Sequence, residues 1–120
     1  MALTHLRVVS IPVADQERAT TFYVDVLGFE LRVDAPFEEG QRWVEVAPPG
    51  AETSLTLVTW FPTMPPGGIS GLVLGCDDID ATFAALSERG VVFAGPIEEA
   101  PWGRFATFTD PDGNGWVAAQ

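Results

Sequence analysis

The residues able to do covalent or metal chemistry are few. His5 is the only histidine and Cys76 the only cysteine. No glycine-rich phosphate loop is present, and no Ser/His or Cys/His spacing marks a nucleophile beside its base. One histidine cannot supply a two-histidine facial triad for a metal. Aromatic and acidic side chains are what the chain has in quantity. Four Trp, eight Phe and one Tyr stand beside seventeen Asp and Glu, which outnumber six Lys and Arg for a net charge of −11. Rings of this kind stack on flat organic molecules, and an acidic surplus attracts cations. The same charge argues against nucleic acid, since no basic patch is available to neutralise phosphates. Non-covalent capture of a small molecule is the chemistry these residue types favour.

Something must position those rings. A chain of 120 residues, 47% hydrophobic and 19% charged, predicts one globular domain over residues 1–120. The opening MALTHLRVVSIPVAD has neither a long apolar run nor a cleavage-site pattern, and no stretch reads as a membrane span. The lone cysteine excludes an internal disulfide and fits a reducing compartment, so a cytoplasmic protein is expected.

The pattern along the chain repeats. His5 to Val13 reads as a strand, Asp15 as the N-cap of a helix running through Leu27, and Gly28 as its stop. Strands follow around Phe29–Val33, Gln41–Ala47 and Ser54–Trp60, and FPTMPPGG at Phe61–Gly68 connects the halves. Gly71–Cys76, a helix from Asp78 to Arg89 ended by Gly90, and strands near Val91–Ala94, Arg104–Thr109 and Trp116–Ala119 then restate the order. The fold expected is α+β: two βαβββ modules, about 1–61 and 69–120, pairing into a curved mixed sheet around a cavity with helices outside. Between the last two strands lies Asp110-Pro111-Asp112-Gly113-Asn114, which by itself is turn chemistry.

Val13-Ala14-Asp15, Ala19-Thr20-Thr21-Phe22-Tyr23, Val26-Leu27-Gly28-Phe29, Asp77-Asp78-Ile79-Asp80 and the Asp110–Asn114 turn together resemble the vicinal oxygen chelate superfamily. That group holds glyoxalases, extradiol dioxygenases, fosfomycin-resistance transferases and bleomycin-binding proteins. Its enzymes hold a divalent metal in the cavity with His and Glu. The resemblance places those four ligand positions at Val8, Thr56, Gly71 and Val117. Val and Gly offer no side-chain donor, so no metal and no cofactor are expected. His5 lies three residues before Val8, on the opposite face by strict alternation.

If Val8 faces the cavity, alternation brings Ser10, Trp43, Glu45, Thr56, Trp60, Phe105 and Thr107 to the same lining, while Val9, Ile11, Val13, Val44 and Val46 pack under the helices. Trp102, in Pro101-Trp102-Gly103-Arg104, reads as a loop residue able to cap the cup. Cys76 falls on the helix side as a core thiol. Glu45 is the one carboxylate placed inside, a weak candidate for a general base unless it faces solvent or pairs with Arg42. The function expected is binding of a small aromatic or cationic molecule, in the manner the resemblance implies for bleomycin-binding proteins. The alternatives are a metal-independent isomerase or lyase acting through Glu45, a metal-dependent lyase or dioxygenase with differently assigned ligands, and a module whose cup is filled by its own side chains. The resemblance also implies a homodimer, with strands of both chains lining one cup.

Overall fold

The computed structural model describes residues 2–120. Strand β1 (Val8–Pro12) leads to helix α1 (Gln16–Thr21), which widens into a π-helical turn over Phe22–Val26. Then come β2 (Glu30–Phe37), β3 (Gln41–Ala47) and β4 (Ser54–Val58). The second module has β5 (Leu72–Gly75), α2 (Ile79–Glu88), β6 (Glu98–Ala100), β7 (Gly103–Thr109) and β8 (Gly115–Ala119). The α+β class and the repeated βαβββ order are those read from the sequence. Each module makes its own four-stranded mixed sheet, ordered β1-β4-β3-β2 and β5-β8-β7-β6, and no barrel closes.

The helix boundaries follow from local chemistry. The Asp15 carboxylate accepts from the amides of Glu17 and Arg18, and Asp78 accepts from Ala81. At the far end of the first helix Gly28 takes φ +81, which lets the Phe29 amide return to the Tyr23 carbonyl at 2.9 Å.

Four expectations change in detail. β1 begins only at Val8, so His5 lies in exposed chain before the strand and alternation does not govern it. Val91–Ala94 forms no strand: Phe93 makes a single bridge to Phe108, and the outer strand is Glu98–Ala100. β2 runs four residues beyond Val33, through Pro36 to Phe37. Proline is tolerated there because β2 is an edge strand that needs no amide on its open side. β4 ends at Val58, which leaves Trp60 just past the strand.

The registers are equivalent in the two modules. Thr56 lies between Ser10 on β1 and Glu45 on β3, and Val117 lies between Val73 on β5 and Thr107 on β7. One face of each sheet supplies a common core: Ile11, Val13, Val44, Val46, Leu55 and Leu57 from the first, Ala106, Phe108, Trp116 and Ala118 from the second, with the helices packed on them. The modules therefore join through their helix-side faces.

The Asp110–Asn114 turn is the clasp of that joint. The Asp110 carboxylate is buried and accepts from Tyr23 Oη at 2.6 Å, Asn114 Nδ2 at 2.8 Å and the Asn114 amide at 2.9 Å. Asn114 Nδ2 also donates to the Pro12 carbonyl, and Trp116 Nε1 donates to Tyr23 Oη at 2.9 Å. Asp112 accepts from the Ala14 amide and from Arg18. The linker is seated on the same turn, since a Cβ on Gly67 would collide with the Asp112 carbonyl.

Candidate functional site

The face of the first sheet opposite the helices carries most of the expected site. Alternation on β3 sends Val44 and Val46 to the core and turns Trp43 and Glu45 the other way. Across the strands Ser10, Thr56, Glu45 and Val33 lie abreast. Thr56 is fully buried, and its hydroxyl has no hydrogen-bond partner among the described residues. Glu45 accepts the indole N–H of Trp43 at 2.6 Å, which fixes both side chains on the floor. Arg42 pairs instead with Asp34, donating from Nε at 2.9 Å, so Glu45 is not its ion partner.

Beyond Glu45 the floor becomes aromatic. Trp43 and Trp60 lie stacked, 6.2 Å between centroids and 27° between planes. Phe37 stands 5.1 Å from each of them, and Phe61 is 6.2 Å from Trp60. Sequence reasoning missed Phe37 because Asp34-Ala35-Pro36 reads as the end of a strand. Its signal was the opposition of Phe37 to Gln41 that a tight β2–β3 hairpin imposes.

Arg32 was missed for a different reason. The β2–β3 register shifts between Leu31 and Val33, leaving Arg32 as an extra, unpaired residue. Its guanidinium reaches Ser54, which shares the face of Thr56, with Nη1 donating to Ser54 Oγ at 3.3 Å. No alternation pattern marks such a bulge.

Phe105, Thr107 and Trp102 belong to the second sheet. Trp102 sits in the tight turn between the paired residues Ala100 and Gly103 and stacks on Phe105 at 5.0 Å and 25°. It is an exposed hairpin ring that makes no ring contact with Trp43 or Trp60 among the described residues. Val73 on the same face is 63% exposed. The expected lining is thus divided between two sheets that share no strand pairing.

The register relates the four expected metal positions to one another. Val8 precedes Ser10, the partner of Thr56, by two residues, and Gly71 precedes Val73, the partner of Val117, by two. The four slots are geometrically equivalent pairs, and they present two valines, a glycine and one hydroxyl. Among the described residues no three His, Cys, Asp or Glu side chains converge. This donor set does not fit a divalent cation.

Two cavities lie away from the aromatic face. One of about 550 Å³ opens between α1 and the outer strands, lined by Gln16, Thr20, Asp34, Arg42 and Val44. The other, about 190 Å³ and apolar, lies between the modules beside Phe29, Leu74, Leu86 and the half-buried Cys76.

A family model described as the Glyoxalase/Bleomycin resistance protein/Dioxygenase superfamily matches residues 3–118. The chain belongs to this superfamily. Within the superfamily it is 55% identical to TnmS3, described as an antibiotic binding protein from Streptomyces sp. CB03234. That likeness covers 100% of this chain and 98% of that one at a TM-score of 0.94. A superfamily member from Sphaerobacter thermophilus DSM 20745 is 40% identical, with a TM-score of 0.91 and coverage of 98% and 97%. YetH, an uncharacterized protein of Bacillus subtilis (strain 168), is 36% identical over 110 residues, 88% of this chain and 89% of that protein. Among the described residues no helix is long and apolar enough to cross a membrane.

Proposed function

We propose that this superfamily member binds a flat, small aromatic or cationic molecule non-covalently on the outer face of its first sheet, without a metal. The observation that carries the reading is the half-buried Phe37–Trp43–Trp60 platform. The rings supply the accessible stacking surface, since Trp43, Trp60 and Phe37 are only half-buried while Thr56 on the same face is closed off. The antibiotic-binding description of TnmS3, at 55% identity, supports a binder over a catalyst. So does Glu45: its carboxylate takes the Trp43 N–H, and no second titratable side chain is hydrogen-bonded to it among the described residues.

The site is completed, in this reading, by a second copy of the chain. The second sheet's outer face leaves Val73 and Trp102 each 63% exposed, and Leu3 and Leu6 are bare as well. A partner's second sheet laid over the first sheet would cover both aromatic faces and enclose the ligand.

Titration with fused-ring aromatic compounds, followed by tryptophan fluorescence, tests the platform. Saturable quenching that W43A weakens is the expected result. Quenching unchanged in W43A and W60A removes the platform from the site, and turnover lost in E45Q with affinity retained would make the protein an enzyme.

A further inference from the structure

We infer that Arg32 selects the ligand, and that the molecule taken up by the aromatic platform carries an anionic oxygen group, such as a carboxylate, at its far end. The inference rests on the platform reading above and deepens it.

Arg32 is the extra residue between Leu31, which opposes the core residue Val46, and Val33, which opposes Glu45 on the floor. Its guanidinium reaches Ser54, on the face of Thr56. Once there the guanidinium is poorly employed. Its contacts are Ser54 Oγ at 3.3 Å, the Pro48 carbonyl at 3.3 Å and Glu30 at 3.7 Å. A guanidinium bonded well to an anionic oxygen sits at about 2.7–2.9 Å and uses two parallel N–H groups. The Arg32 side chain is 25% exposed, largely covered yet reachable, while Glu30 is 52% exposed and a weak competitor.

The neighbours point the same way. Ser54 accepts from Arg32 and keeps its own hydroxyl proton to donate on this face. Together with Arg32 it makes a donor-bearing end to the floor. Val33 opposes Glu45 and Ala35 opposes Trp43, so Arg32 lies three residues from the platform along β2, about 10 Å at a strand rise of ~3.4 Å. A fused-ring ligand spans that distance with its ring on Trp43 and its acid at Arg32. The distant part of the net charge of −11 is screened beyond about 8 Å at physiological ionic strength, and the carboxylate on the floor itself, Glu45, is held by the Trp43 N–H.

Anthracene carboxylate and the matching anthracene methanol, titrated calorimetrically into the full chain, separate the terms. Wild type is expected to bind the carboxylate about tenfold more tightly than the alcohol. R32Q should remove that preference and leave the alcohol within about twofold, R32K should retain part of it, and W43A should weaken both probes alike. Thermal melts of R32Q show whether its fold is intact, and the ratio of the two affinities is insensitive to a uniform loss of active protein. An unchanged carboxylate preference in R32Q, or none in wild type while W43A still weakens both, overturns the role of Arg32 and leaves the platform standing. Binding of neither probe to wild type overturns both.

Discussion

Tyr23 and Asp110, 87 residues apart, share a buried 2.6 Å hydrogen bond that ties the first helix to the turn before the last strand. The phenol is also the acceptor for Trp116 Nε1. Y23F removes the donor to a buried carboxylate and leaves a buried indole N–H without its acceptor. The expected loss is about 2–3 kcal/mol, read from chemical denaturation. An unchanged midpoint would mean that water takes over both bonds.

The same contact has a pH signature. Burial first, and then the bond to Asp110 and its charge, push the Tyr23 phenol far above its ordinary value near 10. The folded protein keeps the proton through a range in which the unfolded chain gives it up. Stability from this group is therefore whole below about pH 10 and falls above it by about 1.4 kcal/mol per pH unit. Denaturant midpoints between pH 9 and 11 should fall more steeply for wild type than for Y23F.

Trp43 and Trp60 are half-buried, unlike Phe108 at 1% exposure. W43A and W60A should each cost only about 1–2 kcal/mol of stability, against about 3–5 for F108A. Their ligand affinity should drop by about 1–3 kcal/mol. Losses of stability as large as that of F108A would mark the two rings as core.

Val8, Thr56, Gly71 and Val117 present one hydroxyl to any cation. Protein dialysed without chelator should carry well under one Zn, Fe, Mn or Ni per chain by elemental analysis. Near-equimolar metal would require donors from outside these positions.

A homodimer predicts a sedimentation mass about twice the 12.9 kDa of the chain at micromolar concentration. Val73→Glu and Trp102→Glu, at exposed positions, should shift it toward monomer with little loss of fold. A monomer in wild type would leave the two aromatic faces as separate open surfaces.

The repeat was legible because its signals are local. Asp15 with Gly28 and Asp78 with Gly90 bracket the helices, and regular alternation on β1, β3 and β4 sorted Ile11, Val44 and Val46 from Trp43 and Glu45. The bulge at Arg32 was not, since one unpaired residue inverts the alternation and leaves no compositional trace. Phe37 was hidden behind Pro36, whose tolerance depends on β2 being at a sheet edge, a fact of topology. The same holds for the clasp: Asp110 and Asn114 look like turn residues until the fold brings Tyr23 and Pro12 to them. Long-range partners are written in no window of the chain.

The clasp also sets how the molecule comes apart. Its bonds to the first module join residues 87 to 102 positions apart, whereas β3 and β4 meet across a short turn. Loop-closure entropy makes such distant contacts costly to form early, so the clasp is expected to close after the folding barrier. Interactions absent at the barrier act on the rate of opening and leave the rate of collapse alone. In a chevron experiment, Y23F should lift the unfolding limb and barely move the refolding limb. The Asp110–Asn114 turn is then a kinetic brake that governs how long each folded molecule lasts.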